Sequence, residues 1–263
     1  MAWLPFRHAW SNPIFQGGLT TFVRHNPHGS HGLNYLIILS TVLFITWPKD
    51  NFLSLRDWPF TYNAFGGSAL IILSYLSFHY GSQKAVTSGH LTLHDWLAMA
   101  PLKAAVFLRG YISIAILDLL FFWCLTLPLL VLAAGVAGES LSHLGAGLAV
   151  ILVCTSTYRM IGIAMLIWLE RDEFLLYMLV RICYVFFILV SGFVIPVLNP
   201  VLAFVSTSIW PRSMVIRQFY GLSLRGWEVA IALHLLLAGG FFIIALIGGR
   251  LIQRRMASSH IAA

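Results

Sequence analysis

The sequence predicts an all-α polytopic membrane protein. Hydrophobic residues make up 59% of the 263 positions and charged ones only 10%, with a mean hydropathy of +0.86. A chain of that composition lacks the polar surface that keeps a soluble globule dispersed. Apolar runs also recur along it, most of them close to the ~20 residues an α-helix needs to cross a bilayer. The net charge of +7 comes from sixteen Lys and Arg that are scattered singly. No basic stripe forms, so nucleic acid is excluded as a partner, and positive loops beside anionic lipid account for the charge.

Taken in order, Asn12 and Pro13 read as the N-cap and first residue of a short helix over 11–26. Phe15, Leu19, Phe22 and Val23 place an apolar stripe on one side of it, as an interfacial helix requires. Six spans follow, at about 33–47, 61–80, 111–134, 144–169, 174–195 and 227–249. The first is short and is expected to end on Trp47 at the headgroups. No soluble domain, long linker or internal repeat interrupts the series, so residues 1–263 form a single transmembrane domain. The N-terminus shows no basic, apolar and cleavage-site pattern, and insertion is expected to rely on the spans themselves.

Six spans put both termini on one side. With the termini inside, the inner loops and tails hold nine Lys and Arg and the outer loops five, which predicts cytoplasmic termini in the cytoplasmic membrane. Three of the outer five, Arg212, Arg217 and Arg225, fall between spans five and six, where Pro196, Pro200 and Pro211 break any continuous helix. That segment is too apolar for a free loop. It is expected to dip back into the outer leaflet as a re-entrant hairpin whose freed backbone groups are buried in protein or wetted by a cavity.

Residues 81–110 form a polar and basic interruption between two spans. Thr92 can cap a short helix, with Asp95 as the acidic half of a capping box, and Leu93, Trp96, Leu97 and Ala100 recur at helical spacing before Pro101 ends it. Such a stripe outside the lipid needs a cover, either the membrane interface or another protein.

Three stretches together resemble the membrane subunit of type-2 ABC transporters, a six-span permease. SNPIFQGGLTTFVRH is similar to that family's interfacial connecting helix, and HLTLHDWLAMAPLKAAVFLRGY to its cytoplasmic coupling region. SGFVIPVLNPVLAFVSTSIWPRSMVIRQFYG is similar to its fifth span and outer hairpin. The chain departs from the family at QKAVTSGH, where Glu-Arg-Glu is usual, and at His94-Asp95. The resemblance implies a permease half that pairs with a second copy or a related half and is driven by a separate nucleotide-binding ATPase subunit, most often for export. It also implies that Leu91, Leu93, His94, Asp95, Trp96, Leu97 and Pro101 engage that ATPase. ATP and Mg would belong to the partner. Consistent with this, the chain has no GxxxxGK[ST] loop, and no cofactor is expected in it.

Charged residues inside the spans are few. Asp118, Arg159 and Arg181 each lie eight to ten residues in from an inner end. At the rise of an α-helix this is a depth of ~12 to 15 Å, where an ionised group costs ~2.5 to 3.5 kcal/mol unless it is paired or wetted. Their common depth predicts a cluster. It serves either as an ion pair that locks the bundle or as a cavity for an anionic guest.

The ten histidines do not assemble a metal or haem site. Most lie in tails and loops, and His79 and His234 belong to opposite leaflets; His25, His28 and His31 share a Pro/Gly-rich turn with no Cys, Asp or Glu beside them. Cys124, Cys154 and Cys183 lie in apolar runs without metal-binding spacing. No hydrolase signature such as HExxH or GxSxG occurs. The competing reading is a non-transport anchor subunit of a respiratory or cytochrome-type complex, which would carry colour.

Overall fold

The computed structural model describes residues 12–25, 29–48, 60–82, 103–169, 173–208 and 225–261, and every regular element among them is helical. In chain order these are α1 (Pro13–His25), α2 (Gly29–Thr46), α3 (Phe60–Ser82), α4 (Ala104–Ala137), α5 (Leu141–Leu169) and α6 (Glu173–Val194). A 3-10 turn (Pro196–Leu198), the short α7 (Pro200–Val205) and the long α8 (Gly226–Ile261) complete the fold. Four helices, α4, α5, α6 and α8, are both long and apolar enough to cross a bilayer. This is a helical membrane protein. The apolar part of α2, His31–Thr46, is shorter. α3 has 23 residues but is more polar, with Thr61, Asn63, Ser74, Ser77 and Ser82 all buried against protein.

Helix ends follow local chemistry. Asn12 Oδ1 accepts from the Ile14 amide at 3.0 Å, and Pro13 supplies a first residue that needs no partner for its nitrogen. At the end of α4, Gly138 adopts φ 70°, and the Glu139 amide reaches the Ala134 carbonyl at 2.9 Å while Gly138 reaches Gly135 at 3.2 Å. This left-handed closure is one that glycine adopts without penalty. Ser140 then starts α5 by accepting from the His143 amide at 3.3 Å.

Most helix ends fall within four residues of the sequence reading, and two differ by more. α4 begins at Ala104, seven residues before the expected start of the third span, because Ala104–Gly110 is already helical. Its charge is carried outward by the exposed Arg109, and Gly110 faces Asn12. α8 continues to Ile261, well past the expected end, since Arg250, Gln253 and Arg254 suit a helix that has left the lipid.

α5 is the centre of the bundle, buried along most of its length, and it packs most extensively on α3 and α8. The α3–α5 contact is made by glycines. A Cβ on Gly162 would strike the Phe78 carbonyl and lie 2.9 Å from the Ser82 amide; one on Gly81 would strike the Arg159 carbonyl. A Cβ on Gly66 would strike the Phe204 ring, and one on Gly147 the Tyr62 hydroxyl. Lipid is as apolar as leucine, so helices in a membrane gain by close backbone approach more than by burying apolar surface. α7 docks through this glycine gap: Phe204 is fully buried and packs on Tyr62 at 5.0 Å between centroids. Asn199 fixes the docking. Its Oδ1 caps α7 through the Val201 and Leu202 amides at 3.0 Å each, and its Nδ2 donates to the Ile188 carbonyl on α6 at 2.7 Å.

Gly162→Ala is expected to push α3 from α5 and destabilise the protein by about 1–3 kcal/mol, the usual scale for overpacking. Thermal unfolding in detergent checks this, and an unchanged melting temperature would contradict the contact.

Candidate functional site

Two of the three intramembrane charges meet. Arg159 Nη2 on α5 donates to Asp118 Oδ2 on α4, with side-chain exposures of only 6% and 8%. The guanidinium carbon lies 5.7 Å from the centre of the Tyr80 ring on α3, so all three helices contribute. Bare Gly81 creates the room, because its absent side chain leaves space beside the Arg159 carbonyl and Cδ. Arg159 Nε finds no acceptor among the described residues. Arg181 stands apart. It is exposed on α6, its guanidinium lies 3.9 Å from the centre of the Tyr177 ring, and no ion pair joins it to Asp118 among the described residues.

Aromatic rings link the helices here, beginning with the Tyr80 that meets the guanidinium. Tyr80 stacks on Phe122 at 6.1 Å, and Tyr158, Tyr184 and Phe78 lie edge-on or tilted to one another at 5.8 to 6.4 Å. The Tyr184 hydroxyl donates to the Ile71 carbonyl at 2.6 Å and lies 3.1 Å from Ser74 Oγ, which ties α6 to α3. The pair therefore joins α4 to α5 in a low-dielectric setting where either charge alone would be expensive. No group of three or more His, Cys, Asp or Glu stands together among the described residues. His234 is buried on α8, where its Nδ1 donates to the Ala230 carbonyl at 2.8 Å, while His79 stacks on Tyr75 at 5.9 Å.

Leu91, Leu93, His94, Asp95, Trp96, Leu97 and Pro101 lie outside the described residues. The far border of that stretch is described, and it is held from two sides. Asn12 Nδ2 donates to the Val106 carbonyl at 2.7 Å, while a Cβ on Gly110 would lie within 2.9 Å of the Asn12 amide group. The Ala104 amide donates to Gln253 Oε1 on α8 at 2.9 Å. The start of α4 is thus bound to both the first and the last helix.

Some site features escape sequence reasoning. His143 Nδ1 lies 2.5 Å from Glu139 Oε2 beside the turn into α5, an i,i+4 pair that the spacing alone could have suggested. The capping role of Asn199 carried a usable signal, since Asn199-Pro200 repeats the Asn12-Pro13 pattern that marks α1. Comparison with protein-family models, curated proteins and solved structures returns no match to this chain.

Asp118→Asn is expected to lower stability by about 3–5 kcal/mol, because it leaves the Arg159 charge buried without its counterion. Arg159→Leu should act in the same direction, whereas Asp118→Leu combined with Arg159→Leu should recover most of the loss. Melting temperatures of the set in one detergent provide the check. Additive losses in the double variant would show that the two side chains do not form the pair.

Proposed function

We propose that this chain is the permease subunit of an ATP-driven transporter, moving a substrate across the cytoplasmic membrane, in the export direction, with a nucleotide-binding subunit as motor. In this reading α2 and α3 join the four long apolar helices to make six spans, and the segment from Pro196 through α7 is the descending part of a re-entrant hairpin. Both termini then face the cytoplasm, and two permease halves enclose the path. The family resemblance of the three sequence stretches suggests the class.

The observation that carries the proposal is the anchoring of α4 just after the stretch holding Trp96 and Leu97. A force applied to residues 91–102 by a motor would enter α4 at Ala104, where Asn12 and Gln253 connect it to α1 and α8. A passive anchor has no need for such a junction. A transporter needs the movement of its coupling segment distributed over several spans at once.

The purified chain is expected to show no ATP hydrolysis alone and to gain it only with its motor subunit. Trp96→Ala with Leu97→Ala should release that subunit during affinity purification while the spans still insert, since large-to-small changes at a buried contact cost several kcal/mol, about 2–5 each. Unchanged co-purification would contradict the coupling role. A coloured preparation with a haem absorption band would replace this proposal with the anchor reading.

A further inference from the structure

Along α6 the residues Phe174, Tyr177, Met178, Ile182, Val185 and Phe186 are all exposed and recur at helical spacing, so one face of this helix turns away from the bundle. Arg181 lies within that face. It is eight residues into the helix, ~12 Å from its start, where an outward charge is costly unless it reaches a polar partner. Its side chain runs back toward the start of α6, because the guanidinium covers the ring of Tyr177, one turn earlier.

We propose that Arg181 and Tyr177 form an outward-facing seat for the phosphate of an anionic phospholipid. A guanidinium is suited to phosphate because its planar donors engage two oxygens together. Placed over the tyrosine ring, it keeps N–H donors for that contact while the ring shields one side of it. The exposed apolar residues beside it would lie along the acyl chains. The alternative cover, a second copy of the chain related by a two-fold axis on this face, would bring one Arg181 toward the other. It would also offer no acid at the level of Arg181, since the acids of this stretch, Glu170, Asp172 and Glu173, stand at or just before the start of the helix and 174–194 contains none. This inference needs only that α6 crosses the membrane, and it stands or falls separately from the transport reading.

The test is native mass spectrometry of the full chain released from nanodiscs of equal phosphatidylglycerol and phosphatidylcholine. The wild-type chain should retain phosphatidylglycerol preferentially. Arg181→Leu should lower that preference by about fivefold, the factor that corresponds to ~1 kcal/mol for one Arg at an anionic surface. Arg181→Lys should keep most of the preference, and excess inorganic phosphate should fail to strip the lipid. Should Arg181→Leu be recovered poorly, Arg181→Gln supplies the same comparison. Equal retention of the two lipids by the wild type, or an undiminished preference in Arg181→Leu or Arg181→Gln, would overturn the proposal. So would removal of the preference by inorganic phosphate, or loss of a dimer with no change in bound lipid.

Discussion

The close approach of α3 to α5 is the constraint on which the other features rest. Gly81 and Gly162 let the two backbones meet, and Gly66 and Gly147 leave the gap that Phe204 fills. If these helices stood a methyl group further apart, α7 would lose its socket and the Tyr80 ring would move off the Arg159 guanidinium. The Asp118 ion pair depends on the same spacing, because Arg159 reaches Asp118 past the bare backbone at Gly81. Packing thus comes first here, and the buried electrostatics are built upon it. This order is natural in lipid, where apolar contact alone does not favour one helix neighbour over another.

Helices were legible in the sequence because length and apolarity suffice to locate them. Their depth could be counted as well, which is why Asp118, Arg159 and Arg181 were expected at one level. Azimuth could not be counted. In a soluble helix the polar face marks the outside, but a spanning helix is apolar all round, so the sequence carries no phase for which side faces protein. Asp118 and Arg159 turn inward and meet, whereas Arg181, at a comparable depth on its own helix, turns outward onto Tyr177. The glycine contacts were illegible for the same reason, since a glycine between two helices and one facing lipid look alike in the chain.

Where the chain leaves the purely apolar regime, local signals regain their force. Asn12-Pro13 marks the start of α1, and the same dipeptide at Asn199-Pro200 starts α7. Each asparagine does double duty. Its Oδ1 caps its own helix while its Nδ2 donates to a carbonyl of another, Val106 from Asn12 and Ile188 from Asn199. One side chain thereby fixes both where a helix begins and which neighbour it leans on. The expected boundaries at the Ala104 end of α4 and the far end of α8 fell short because Lys and Arg signal the edge of the lipid and not the end of a helix.

The lengths of α4 and α8 have a mechanical meaning. With 34 and 36 residues they measure ~51 and ~54 Å, against a hydrocarbon core of ~30 Å. Their extra length emerges on the same side, since Ala104 opens α4 beside Gln253 of α8, and Gly249 allows Leu108 and Ala104 within 3.5 Å of where its side chain would be. The two form a braced post at this end of the bundle. Through the Asn12 hydrogen bond, α1 serves as its footing, lying against the post. A sideways push at the top would then be resisted by the footing and delivered as tilt to the two longest helices of the bundle together, as a lever delivers force through its pivot.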